Sequence, residues 1–175
     1  MIATQNEIAT IWDICTGQKI RELKPITSNN YAKNQATFDP SDELVLNDGV
    51  LFDTRMGREI KKLDKLNQSL NGVFHPNGLE IVSNSEVWDI RTFHLLKTVP
   101  ELDQCQVKFS NNGDIIYAVT LEQETDDGEK YDSAFKTFDA HDYSNIATIE
   151  TRRGVVDIST SINDLQLAVV ENSLR

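Results

Sequence analysis

An aromatic residue followed by Asp closes an apolar segment four times in this 175-residue chain, at Trp12-Asp13, Phe52-Asp53, Trp88-Asp89 and Phe138-Asp139, spaced 40, 36 and 50 residues apart. A second element moves in register with it, a short apolar segment that runs into a polar turn. Its copies are Ala36-Thr37-Phe38 before Asp39 to Asp42, Gly72-Val73-Phe74 before His75 to Gly78, Val107-Lys108-Phe109 before Ser110 to Gly113, and Val156-Asp157-Ile158 before Ser159 to Asp164. Another apolar stretch follows each turn: Leu44 to Leu46, Leu79 to Val82, Ile115 to Val119 and Leu165 to Val170. Two motifs drifting together through four copies form a repeat. A repeat near forty residues demands a fold of stacked, equivalent units.

Each period holds short strands separated by Asn-Gly, Asp-Gly and Pro-containing turns, with no sustained helical periodicity. Asn77-Gly78 and Asn112-Gly113 offer the positive φ that tight hairpins need. An all-β array of this period with Trp-Asp at a strand end resembles the WD-repeat β-propeller, in which each period is one four-stranded blade. Counted that way, Ile8 to Trp12 and Lys19 to Leu23 are the third and fourth strands of an opening blade. Three full blades follow, and the last two strands end near Val170. The expectation is an all-β propeller segment without a complete ring, with blade remnants at residues 1–30 and 154–175, belonging to a longer protein. Unpaired edges would otherwise invite association.

The long third interval comes from an insertion at residues 122–132, which carries Glu122, Glu124, Asp126, Asp127, Glu129 and Asp132 against Lys130. With almost nothing to bury, it reads as a solvated loop between the second and third strands of its blade; a docking site for a basic partner is the alternative.

Composition narrows the partners. There are 28 acidic and 17 basic side chains, a formal charge of −11. Nucleic-acid backbones and anionic membranes share that sign, so neither is expected as a direct partner. The longest apolar stretch, around Ile115 to Leu121, is far below the roughly twenty residues of a spanning helix. Met1 to Thr10 lacks the apolar centre of a secretory leader. Cys15 and Cys105 are too few and too far apart for a disulfide framework, and read as reduced core thiols on strands. Reduced thiols favour nucleus or cytosol, and the nucleus with a cytoplasmic pool is the expected location.

The aromatic-Asp pairs have an ordinary structural explanation: aromatics fill the gap between blades, and Asp caps turn amides. What varies is the residue two positions past the Asp, which is Cys15, Arg55, Arg91 and His141. Only the two central, adjacent copies offer Arg. At a strand end, both guanidinium groups would emerge side by side on one rim, suited by their fixed fork of donors to a protein interface. Pairing with a carboxylate of a neighbouring turn is the competing role. His75, His94 and His141 fall at unrelated places, and no Ser-His-Asp, Cys-His or phosphate-loop pattern accompanies them. No catalytic residue, metal or cofactor is expected.

Trp88-Asp89-Ile90-Arg91 and the variant Phe52-Asp53-Thr54-Arg55 resemble the signature of WD-repeat proteins that dock on the damaged-DNA-binding adaptor of cullin-4 RING ubiquitin ligases. The longer stretches LVLNDGVLFDTR (Leu44 to Arg55), GVFHPNGLE (Gly72 to Glu80), VWDIRTFHLLKTVPELDQC (Val87 to Cys105) and IATI (Ile146 to Ile149) resemble the carboxy-terminal propeller of the Vpr-binding-protein family of substrate receptors. The resemblance implies a non-catalytic ligase subunit that brings substrate proteins for ubiquitination. It implies that Arg55 and Arg91 contact the adaptor, that Asp53 and Asp89 orient the turns, and that Phe52 and Trp88 anchor the strands. Phe52 departs from the usual Trp. A general WD-repeat scaffold without ligase association is the alternative, since fold alone does not fix function.

Overall fold

The computed structural model describes residues 1–5, 8–26, 35–63, 72–121, 123–125, 128–130 and 132–172. The chain divides into two compact units, Met1–Thr98 and Val99–Arg175. In the first unit, β1 (Ile2–Gln5), β2 (Ile8–Trp12) and β3 (Lys19–Leu23) form one sheet. Next come β4 (Ala36–Phe38), β5 (Leu44–Asn47), β6 (Val50–Asp53) and β7 (Arg58–Lys62), then β8 (Gly72–Phe74), β9 (Glu80–Ser83), β10 (Glu86–Asp89) and β11 (Leu95–Thr98). In the second unit, β12 (Cys105–Phe109) and β13 (Ile115–Thr120) join β16 (Ala134–Asp139) and β17 (Asn145–Glu150). A pair β14 (Gln123–Thr125) and β15 (Gly128–Lys130) and a pair β18 (Val155–Thr160) and β19 (Leu167–Glu171) complete it. Every sheet is an antiparallel meander in sequence order, the β14–β15 pair being an excursion between β13 and β16. Three of them are four-stranded. This all-β architecture is that of partial β-propeller repeats.

Two expectations are corrected here. The opening sheet begins earlier than the sequence suggested, because Ile2–Gln5 pairs with Ile8–Trp12 in the register Ile2↔Ile11 to Gln5↔Ile8. Only a short connection separates these strands, and Ile2 packs among Ala9, Ile11 and Phe52. The acidic insertion is not wholly irregular either: Gln123–Thr125 pairs with Gly128–Lys130 across a two-residue reversal. Glu122, Asp126 and Asp127 lie outside the described residues.

Period-2 alternation positions the cores. Along β2, Ala9 and Ile11 are buried while Ile8, Thr10 and Trp12 are partly exposed. Phe52 of β6, 1% exposed, packs with Ala9, Ile11 and Leu23 of the first sheet and Val45 and Val50 of its own. Trp88 of β10 packs with Leu46 and Leu51 of the second sheet and Phe74 and Ile81 of the third. Each such side chain contributes about 1.5–3 kcal/mol by leaving water. Gly72 makes the close approach possible, since a Cβ there would collide with Leu46 Cδ2. In the second unit, Val119, Phe135, Val155 and Ile158 form the corresponding cluster. Lys108 reinforces it by donating to Asp157 Oδ1 at 2.6 Å and to the Ile158 carbonyl at 2.7 Å. Partial burial raises the Asp157 pKa, but the hydrogen bond from Lys108, the Ile158 amide and the Lys108 charge together outweigh it and the net shift is downward.

Cys105 is buried in β12, where burial pushes its thiol pKa up. Cys15 is exposed, against the expectation of a core thiol, because it lies in the turn capped by Asp13 rather than in a strand. Among the described residues, no helix is long and apolar enough to cross a membrane.

Candidate functional site

In an antiparallel meander, the turn joining strands one and two and the turn joining strands three and four lie at the same end of the sheet. Both turns recur with constant geometry. In the second kind, the Asp carbonyl accepts from the amide four residues on: Gly17 to Asp13 at 2.9 Å, Gly57 to Asp53 at 2.8 Å, Phe93 to Asp89 at 2.9 Å and Tyr143 to Asp139 at 2.8 Å. Those four donors all have positive φ: 68°, 65°, 56° and 60°. The carboxylate closes the turn from inside. Asp13 Oδ1 accepts from the Cys15 and Thr16 amides at 2.7 and 3.0 Å. Asp89 Oδ1 accepts from the Arg91 and Thr92 amides, both at 2.8 Å. Asp139 Oδ1 accepts from His141 at 2.7 Å, and Asp53 Oδ1 from Met56 at 2.8 Å. These are side-chain caps of the Asx kind, which explains why the strand end requires Asp.

The charge that results is strongest at Asp89. Its carboxyl is held down to about 2, chiefly by the Thr92 amide and next by the Arg91 guanidinium, which donates to Oδ2 at 3.1 Å. Asp13 is also lowered, by the amides of Thr16 and Cys15.

The first kind of turn starts at Asp39, His75, Ser110 and Ser161. Each accepts at its carbonyl from the amide three residues on, that of Asp42, Gly78, Gly113 and Asp164, at 2.9–3.1 Å. Here too the donor has positive φ. Glycine fills that position only in the Asn-Gly copies, and Asn77 and Asn112 themselves are not in that region. The two-residue hairpin with positive φ at both positions is instead Asp48-Gly49. His75 is a turn residue, its Nδ1 accepting from the Asn77 amide at 3.0 Å.

The two turns are laced together by the same backbone bond in three sheets: the Thr54 amide to the Glu43 carbonyl, that of Ile90 to Leu79 and that of Ala140 to Asp114, each at 2.9 Å, with the Thr54 hydroxyl adding bonds to the Asp42 and Glu43 carbonyls in the second sheet. Glu43, Leu79 and Asp114 are therefore equivalent, each bonded to the residue one past the motif Asp and so close to the residue two past it. That equivalence decides where each basic side chain goes. Arg55, 78% exposed, donates through Nη2 to Glu43 Oε1 at 2.5 Å. His141 Nε2 lies 3.7 Å from Asp114 Oδ1. Arg91 faces Leu79, finds no carboxylate there, and turns back on Asp89 while remaining 68% exposed.

Sequence reasoning placed Arg55 and Arg91 at matching turns of neighbouring sheets, and the structure puts them there. It also finds both in carboxylate pairs, the competing role recognised from sequence. Exposed pairs of this kind are worth at most about 1 kcal/mol, so a partner's carboxylate can replace the internal one at little cost. Phe52 and Trp88 sit beneath the turns as buried anchors. Trp88 Nε1 is buried and has no hydrogen-bond partner among the described residues, where the ring is held by packing. The sequence reading missed Glu43 and Leu79, which aligning the two turn types copy by copy would have exposed. Among the described residues, no three His, Cys, Asp or Glu side chains converge as a metal would require.

Repeated antiparallel meanders whose third strand ends in an Asx-capped turn define a β-propeller repeat protein. No family model matches the chain. It is 51% identical over 175 residues to Protein mahjong of Drosophila melanogaster, 98% of this chain and 11% of that protein. It is 43% identical over 176 residues to the DDB1- and CUL4-associated factor homolog 1 of Caenorhabditis elegans, 98% of this chain and 10% of the relative. Against the protein of the same name from Arabidopsis thaliana it is 38% identical over 143 residues, 76% of this chain and 8% of the relative. The chain is thus a homologue of one segment of the DDB1- and CUL4-associated factor 1 proteins, the Vpr-binding-protein family whose motifs it carries. It spans about a tenth of the length of the curated relatives it matches.

Proposed function

We propose that this chain is part of a substrate-receptor subunit of a cullin-4 RING ubiquitin ligase, and that it docks on the damaged-DNA-binding adaptor through the turns bearing Arg55 and Arg91. The observation that carries the reading is the pair of exposed guanidinium groups at equivalent turns of neighbouring sheets, each held by one weak, exchangeable carboxylate. The names of two relatives, which speak of association with the adaptor and the cullin, point the same way. Asp53 and Asp89 shape the turns, and Phe52 and Trp88 fix the strands that present them.

The subunit performs no bond chemistry of its own. It acts by proximity, holding substrate proteins near a ubiquitin-charged enzyme elsewhere in the assembly. Neither nucleic acid nor membrane is a direct partner, and the working location is the nucleus with a cytoplasmic pool. Affinity capture of the full-length protein tests this: wild type brings down adaptor and cullin, and Arg55→Glu/Arg91→Glu does not.

A second reading, a propeller scaffold without a ligase, is favoured by one observation: both arginines already have carboxylate partners, as purely structural arginines would. Capture of other proteins by wild type, without adaptor or cullin, selects it.

A further inference from the structure

The turn that carries Arg55 is braced from outside its own sheet, and among the described residues its counterpart at Arg91 has no such brace. Arg21 projects from β3 in the first sheet, where its backbone pairs with Ile11. Its Nη1 donates to the carbonyl of Met56, the residue next to Arg55, at 3.1 Å. Its aliphatic stem fills the space over Gly57: a Cβ there would come within 2.7 Å of Arg21 Cδ and 2.9 Å of Nη1. Gly57 is also the positive-φ residue that closes the Asp53 turn. At the equivalent Gly17 a Cβ would meet nothing within 4 Å. Glycine at 57 thus answers two demands, the backbone conformation and the seat for Arg21. A second strut runs in parallel, the Ile26 amide donating to Glu59 Oε2 at 3.0 Å.

The Arg91 turn is bonded within itself. Asp89 accepts from two amides, a hydroxyl and the Arg91 guanidinium, and Phe93 packs back into the core of its sheet. At the Arg55 turn, Thr54 and Arg55 tie the near side to Asp42 and Glu43 of the same sheet, while on the far side the Asp53 carboxylate caps through the Met56 amide. A far side capped by one carboxylate bond samples more conformations unless something outside holds it. An arginine suits that task, since its fork is pre-organised and its stem packs as an apolar group.

We propose that Arg21 is a positioning residue for the adaptor-docking surface: seated on Gly57 and bonded to Met56, it holds the Arg55 turn in its binding geometry without touching the adaptor. This rests on the docking function proposed above. The cost of ordering the turn is met on folding, so less ordering remains to be done on binding.

The test combines two readouts on the full-length protein, with circular dichroism and melting to establish folding. Hydrogen exchange by mass spectrometry follows amides 54–57, with the 90–93 turn as internal control. Adaptor affinity is measured for wild type, Arg21→Ala, Arg21→Lys, Arg55→Ala and the Arg21→Ala/Arg55→Ala double variant. Arg21→Ala should speed exchange at 54–57 and not at 90–93, and should weaken adaptor binding about fivefold, the scale of one hydrogen bond. Arg21→Lys, which keeps a donor on a long stem, should restore most of the affinity. In the Arg55→Ala background, Arg21→Ala should have almost no further effect, which a general loss of stability would not produce.

Unchanged exchange at 54–57, or an affinity loss that persists undiminished without Arg55, overturns the proposal. If Arg55→Ala leaves affinity intact while Arg21→Ala still quickens exchange, the docking function falls and the brace stands. Gly57→Ala gives an independent arm. Its Cβ displaces Arg21, so it should reproduce the Arg21→Ala exchange pattern, and an unperturbed 54–57 segment would contradict the seat.

Discussion

Arg55 donates to Glu43 across 2.5 Å, joining the two turns at one end of the second sheet, whereas the matching position of the third sheet holds Leu79 and leaves Arg91 to its own Asp89. One substitution between repeats therefore gives two arginines of different availability. Glu43 competes with any partner carboxylate for Arg55. Glu43→Gln should tighten adaptor binding by up to about fivefold, the range of an exposed ion pair, with most of the change removed in Arg55→Ala. Titration calorimetry with purified adaptor checks this, and a loss of affinity would show that Glu43 orients Arg55 rather than masking it.

Asp89 has a distinct acid signature. Its folded pKa is lowered to about 2, against about 3.9 for an unfolded aspartate. A lowered folded value means the folded state prefers the carboxylate, so the associated stability is complete above about pH 4 and fades as pH falls toward 2. Carboxyl carbon NMR should find the Asp89 midpoint near 2. Asp89→Asn should lose stability relative to wild type at neutral pH, and the difference should shrink between pH 4 and 2. A midpoint near 4 would remove the basis for both statements.

Trp88 and Phe52 occupy equivalent strand positions, yet the indole N–H of Trp88 is buried without an acceptor among the described residues. Trp88→Phe should therefore cost less than about 1.5 kcal/mol, because part of the lost packing is offset by removing an unpaired donor. Trp88→Ala, which opens a cavity among Leu46, Leu51, Phe74 and Ile81, should cost about 3–5 kcal/mol. Urea denaturation of the full-length protein, followed at this propeller, distinguishes the two.

Gly17 and Gly57 share a turn position and a positive φ, but only Gly57 has Arg21 over it. Gly17→Ala should cost about 1–2 kcal/mol for the left-handed conformation alone. Gly57→Ala should cost more, because it also moves Arg21. Equal melting shifts for the two variants would contradict the close packing at Gly57.

Much of this was legible in the sequence because a repeat presents the same structural problem several times. The aromatic-Asp pairs located the third strands, and the polar turns before Leu44, Leu79, Ile115 and Leu165 separated the first strands from the second. Strand β1 was not legible: Ile2–Gln5 carries no motif and owes its state to pairing with β2. Nor was the β14–β15 pair, whose acidic, non-alternating sequence offers no buried face. At the site, Arg55 and Arg91 were visible as a recurring residue type, and their separate partners were not, since those depend on which carboxylate lies across the neighbouring turn. Phe93 and Tyr143 were hidden for a different reason. Aromatics rarely adopt positive φ, and here packing of the ring, buried for Tyr143 and half-buried for Phe93, offsets the backbone strain.

The most direct measurement is the affinity of purified adaptor for full-length wild type and for Arg55→Glu/Arg91→Glu, with both proteins shown to be folded by circular dichroism. The account predicts a loss of at least about a hundredfold, as expected when two central arginines are reversed against carboxylates. Undiminished affinity in the folded double variant would contradict it.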